Sequence, residues 1–170
     1  MKRKAHYPVT HTQIKNFTAS SGAQQVFVNN VFLGPITERI LVALVKNTAF
    51  VGSVITNAYH FQHYDMTNLV LCVNGVQLPS DPLTMDFSSP FRATRVYETL
   101  FSSTGIHRDD PARMLTLEIF TMGFFILGLD LTPDRDADEE HISLPRQRNV
   151  RIKAGFNKPL PELVTFILYV

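Results

Sequence analysis

A chain of 170 residues, 45% hydrophobic and 18% charged, has the make-up of one globular domain able to bury a sizeable core. Its net charge of +1 gives no general pull towards nucleic acid or anionic lipid. Thirteen Phe and no Trp point to an apolar core rather than a sugar-stacking surface, and a single cysteine, Cys72, excludes both an intrachain disulfide framework and a Cys-rich zinc site.

The opening Met1–Lys4 is basic, but no apolar segment follows it, so it does not read as a secretory signal. Synthesis inside the cell, in a reducing compartment, is the expectation. Residues 5–19, with Thr10, Thr12 and Thr18, suit an edge strand, and Ser20–Gly22 a turn. Gln24–Leu33 reads as a second strand with Val26 and Val28 on one face, closed by Gly34-Pro35. Arg39–Lys46 is apolar almost throughout and bracketed by charges, which favours a third strand over a helix. Asn47 to Asp65 mixes small residues and aromatics without a period, and is expected to be a long connection holding a helical turn.

Leu69–Leu78 carries the sharpest local signal. Asn74-Gly75 lies between alternating apolar arms, and both residues tolerate the positive φ of a type I′ turn. Pro79 and Pro82 are expected to end the pairing, and Cys72 to be a buried, inert thiol. Phe91, Val96, Tyr97, Leu100 and Phe101 have helical spacing, predicting about three turns over Phe91–Ser103. Leu117–Leu129 reads as one long buried strand, bent at Gly123 and Gly128 and leading through Asp130–Pro133 into the acidic loop Asp134–Glu140. Asn149–Phe156 alternates, with Val150, Ile152, Ala154 and Phe156 inward and Arg151 and Lys153 outward. Lys158–Pro161 is a turn, and Leu163–Val170 a last strand, apolar on both faces, that must be covered. The sum is an all-β domain over residues 1–170: an eight-stranded jelly-roll sandwich with one helix in a long loop.

Tests for chemistry return little. His60 and His63 have i, i+3 spacing but lack a third ligand, so packed or surface histidines are the better reading. No His-x-His pair occurs, which counts against a cupin enzyme. Asp134, Asp136 and Asp138 have the first spacings of a calcium loop. Glu139 replaces its glycine and Pro145 its last carboxylate, so the motif is rejected. There is no phosphate loop and no nucleophile elbow. The expectation is a protein that is not an enzyme, with no catalytic, cofactor-binding or metal residues. Arg146, Arg148, Arg151 and Lys153 form a basic strip that suits a solvated or intersubunit face better than a nucleic-acid site.

Several motifs, in order, span nearly the whole chain. They are Lys2–Lys4 with Tyr7-Pro8, Leu33–Arg39, Phe61–Tyr64, Leu71–Ser80 with Pro82-Leu83, Leu100–Gly105, Leu129–Asp134, Val150–Phe156 and Leu160-Pro161. As a set they resemble the hexon-like major capsid proteins of Polinton/Maverick elements and adintoviruses. That family is built as a double jelly roll, and this chain resembles its C-terminal half.

The resemblance implies a structural virion protein. Its subunits form trimeric, pseudo-hexameric capsomers of an icosahedral capsid around double-stranded DNA, beside other capsid proteins such as a penton. It implies no sequence-specific nucleic-acid contact, no membrane span and no catalytic residues. The N-terminal roll and a further tail are missing. The chain is therefore expected to be an excised domain, a truncated element copy in a host genome, or a stand-alone single roll. On charge alone, Arg39, Arg92, Arg95, Asp134, Asp136, Asp138, Arg146 and Arg148 are candidate intersubunit contacts. The rival reading is a monomeric, lectin-like module that binds ligand through the loops at Asn47–Asp65 and Asp134–Glu140.

Overall fold

The computed structural model describes residues 12–35, 39–104, 115–132 and 147–170. Eight strands follow one another: β1 (Ile14–Ala19), β2 (Gln25–Pro35), β3 (Arg39–Lys46), β4 (Met66–Val73), β5 (Val76–Thr84), β6 (Ile126–Asp130), β7 (Gln147–Phe156) and β8 (Val164–Tyr169). Three α-helices lie in the connections: α1 (Asn47–Val51), α2 (Thr94–Thr104) and α3 (Leu117–Gly123); a 3₁₀ turn, Pro90–Ala93, precedes α2. The strands form two four-stranded sheets, β1-β8-β3-β6 and β2-β7-β4-β5, and every neighbouring pair is antiparallel. Strand one pairs with eight, two with seven, three with six and four with five. That is a long hairpin rolled into two facing sheets, the jelly roll.

The inner faces follow from alternation. Ile40, Val42 and Leu44 of β3, Leu127 of β6 and Phe166 and Leu168 of β8 meet Leu69 and Leu71 of β4 and Val150, Ile152 and Ala154 of β7, all buried. The strand expectations at Arg39–Lys46 and Asn149–Phe156 hold. So does the Asn74-Gly75 hairpin, with φ of 51° and 83° at its two central residues. The strongly apolar β8 is covered because it runs between β1 and β3. Asn47–Asp65 begins with the single helical turn of α1.

Four expectations need correction. Leu117–Leu129 is not one strand. Thr116 caps a helix, its hydroxyl accepting from the Ile119 N–H at 3.3 Å, and α3 runs to Gly123, whose φ of 150° ends it before β6. The single expected helix is therefore three among the described residues, and α2 starts at Thr94, leaving Phe91 outside it and exposed. Pro79 and Pro82 do not end pairing. β5 continues to Thr84, and both prolines fall in the irregular stretch between Leu71↔Leu78 and Leu69↔Leu83, where they interrupt the ladder without ending the strand. Cys72 is half-buried rather than buried, since Leu71 and Val73 take the inward positions and leave it on the outer face.

Candidate interaction surface

Backbone bonds gather four connections at one end of the roll. Gly22 N–H donates to Leu160 O at 2.8 Å and Leu160 N–H to Ala23 O at 2.9 Å, tying the β1–β2 turn to the β7–β8 turn. Asn47 N–H donates to Leu163 O at 3.0 Å, which brings in the β3–β4 loop. Phe61 then exchanges hydrogen bonds with the start of β6: its N–H donates to Gly123 O at 2.8 Å, and Phe125 N–H to Phe61 O at 3.0 Å.

The aromatic packing beneath this end is dense. His63 stacks on Phe87 with ring centroids 3.9 Å apart, and both rings meet Phe125 edge-on. The His63 Nδ1 accepts from the Asp65 N–H at 3.0 Å. Burial lowers the His63 pKa below its ordinary 6.5, and the nearby Asp65 carboxylate only partly offsets this. Tyr64 is pushed well above the ordinary phenol range, by burial first and then by Glu162, to which its hydroxyl donates at 3.4 Å. His60 Nε2 donates to Met122 O at 3.3 Å, and its Nδ1 accepts from the Gln62 amide at 3.0 Å. Both histidines are thus held by packing and hydrogen bonds. No group of three or more His, Cys, Asp or Glu among the described residues is placed to hold a metal ion.

Above them lies an open cleft of about 350 Å³, lined among others by His60, Tyr64, Met122, Pro159 and Pro161. Its charges are matched locally: Lys158 sits 3.5 Å from Asp65, and Lys46 pairs with Glu162.

Beside the cleft, the β3–β4 loop turns apolar side chains outward. Val51 is 76% exposed, Val54 106%, Ile55 92% and Tyr59 73%; Met122, 78% exposed, is tied to the same loop by the bond from His60 to its carbonyl. Residues 47–64 contain no Asp, Glu, Lys or Arg. Scattered exposed apolar residues are ordinary; several in one uncharged loop are not. The sequence reading placed this group in the connection Asn47–Asp65 and offered that loop to a ligand, without singling out its apolar residues as a surface. The long uncharged run was the available signal.

The residues selected from charge are dispersed. Arg39 begins β3 opposite Asp130, at the far end of that strand from the apolar loop. Arg92 lies in the 3₁₀ turn, its guanidinium 2.6 Å from the Asp86 carboxylate. Arg95 is exposed on α2, and Arg148 sits in β7 opposite Gly34. Asp134, Asp136, Asp138 and Arg146 lie outside the described residues, as do the acidic loop and most of the basic strip's approach to it. Among the described residues no helix is long and apolar enough to cross a membrane.

No protein-family model matches the chain. It is 26% identical over 157 residues to an uncharacterised protein of Caenorhabditis elegans, a match that covers 91% of this chain and 37% of that protein. The chain therefore spans little more than a third of the length of that relative. Among solved structures it is similar to a chain in the 3.5 Å cryo-EM structure of the Sputnik virophage, with a TM-score of 0.45 and 10% identity over 93% of this chain and 34% of that one.

Proposed function

We propose that this chain is a non-enzymatic building block of an icosahedral capsid, a jelly roll that packs side to side with further copies and with other capsid proteins in the virion. The observation that carries this reading is the uncharged rim of exposed Val51, Val54, Ile55, Tyr59 and Met122 at one end of an eight-stranded jelly roll. Such a surface is costly for a solitary soluble domain and ordinary for a subunit. The ordered motifs from Phe61–Tyr64 to Leu160-Pro161 add support, and with them the finer reading: the hexon-like lineage of Polinton/Maverick elements and adintoviruses, with trimeric or pseudo-hexameric capsomers around double-stranded DNA. On that reading this chain corresponds to the C-terminal roll of a double jelly roll, either in a virus or as a remnant retained in a host genome. Arg39, Arg95 and Arg148 are proposed lateral contacts. Arg92, already engaged by Asp86, is the weakest of the set.

A second reading, a monomeric loop-based binding module, draws on the cleft of about 350 Å³ beside the rim. Solution mass by light scattering after size exclusion, over a concentration series, separates the two. Trimers, pentamers, hexamers or larger species support the capsid reading. A 19.2 kDa monomer at every concentration overturns assembly by this chain.

A further inference from the structure

We infer that the β3–β4 loop is the contact through which one copy of this chain seats on a second copy, with Val51, Val54, Ile55 and Tyr59 as its buried centre. The inference rests on the assembly reading above and assigns the surface.

Three observations converge on a second copy as the occupant. The first is area. The exposed fractions of these four side chains and Met122 leave on the order of 600–700 Å² of mostly apolar surface, close to the roughly 800 Å² per partner of a stable protein interface. The second is charge. Residues 47–64 have no formal charge, and the nearest cations, Lys46 and Lys158, are already matched by Glu162 and Asp65. No surplus of basic groups flanks the tip, as attraction to an anionic membrane would require. A partner surface without surplus charge suits it, and this chain carries one beside the loop: the cleft walled by Met122, Pro159 and Pro161, in which Lys158 and Asp65 offset each other.

The third is placement. Tip and cleft share one end of the roll, tied together by the Asn47–Leu163 and Phe61–Gly123 backbone bonds. Lying side by side, they allow the tip of one copy to seat in the cleft of a second while receiving that copy's tip in return, the self-complementary contact of a two-fold pair.

The test uses the whole chain and three proteins: wild type, the double variant Val54→Ser with Ile55→Ser, and the control Phe27→Ser, which removes an exposed aromatic from β2. An unchanged thermal melt establishes that each variant folds. Light scattering over a concentration series should show wild type and control associating alike. The loop variant should need at least tenfold higher concentration to reach the same mass. Equal association of all three proteins overturns the inference and leaves the capsid reading standing. A wild type that stays monomeric overturns both. Flotation of a monomeric wild type with phosphatidylcholine vesicles, lost in the loop variant, overturns the second copy as occupant and makes the loop a lipid contact.

Discussion

Gly128 of β6 lies directly beneath Leu100 of α2: a Cβ at position 128 would stand 3.1 Å from the Leu100 Cα and collide with the Ser103 hydroxyl. The helix backbone touches the sheet where the sheet has no side chain, so α2 is set down closely over β6. Gly128→Ala forces the helix away or distorts the strand, and the expected loss is about 1–3 kcal/mol. Urea unfolding of the variant against wild type measures it, and a midpoint within error of wild type would mean that α2 rides loosely.

The β4–β5 turn depends on left-handed backbone at both central residues. Gly75 has φ of 83° with open space around it, so a larger residue meets backbone strain rather than a clash. Gly75→Val should cost about 1–2 kcal/mol. Asn74→Gly keeps the turn's backbone but removes the Oδ1 that accepts from the Asn149 N–H at 2.8 Å, and should cost about 0.5–1.5 kcal/mol. Thermal melts of the two variants measure both losses.

Phe166 is fully buried on β8, stacked on Phe17 at 4.5 Å and edge-on to Phe156. It links the edge strand β1 to the middle of the core. Phe166→Ala should lower stability by about 3–5 kcal/mol, enough to leave a domain of ordinary stability barely folded. The measurement is again a denaturant midpoint.

His63 predicts a pH dependence. Its folded pKa lies below 6.5, so below pH 6.5 the unfolded chain takes up a proton that the folded chain refuses. Stability from this residue is therefore complete above pH 6.5 and is lost as pH falls from there through the folded pKa. Unfolding midpoints between pH 7.5 and 5 should fall more steeply for wild type than for His63→Gln, which cannot titrate. Parallel slopes would show that His63 does not carry the dependence.

Two strands were legible for different reasons. Arg39–Lys46, apolar almost throughout, is short and bracketed by charges, and Asn149–Phe156 alternates strictly. Leu117–Leu129 was opaque because a run apolar at nearly every position has no period to read. The signals that separate α3 from β6 are local: the Thr116 cap, Glu118 in the first turn and the left-handed Gly123. The two prolines misled for a different reason. They fall between Leu78 and Leu83, where β5 makes no ladder pair with β4, so the strand resumes beyond them. The apolar rim lies in a stretch already legible as a connection, Asn47–Asp65, but nothing in Val54 or Ile55 says that their side chains turn to solvent until the loop's path is known.

The place of β8 between β1 and β3 has a consequence for how the chain acquires its shape during synthesis. Until residues 164–169 emerge, β1 has no partner, and β3 can pair only with β6. The second sheet can be completed earlier, once β7 is available to join β2 to β4. A growing chain thus holds one finished sheet and one open one, and the open one keeps Phe17 and Leu44 waiting for Phe166. Closing a ladder between strands this far apart in sequence is slow. A growing chain emerged only as far as residue 163 would present a half-built roll to chaperones, with the core face of its open sheet uncovered.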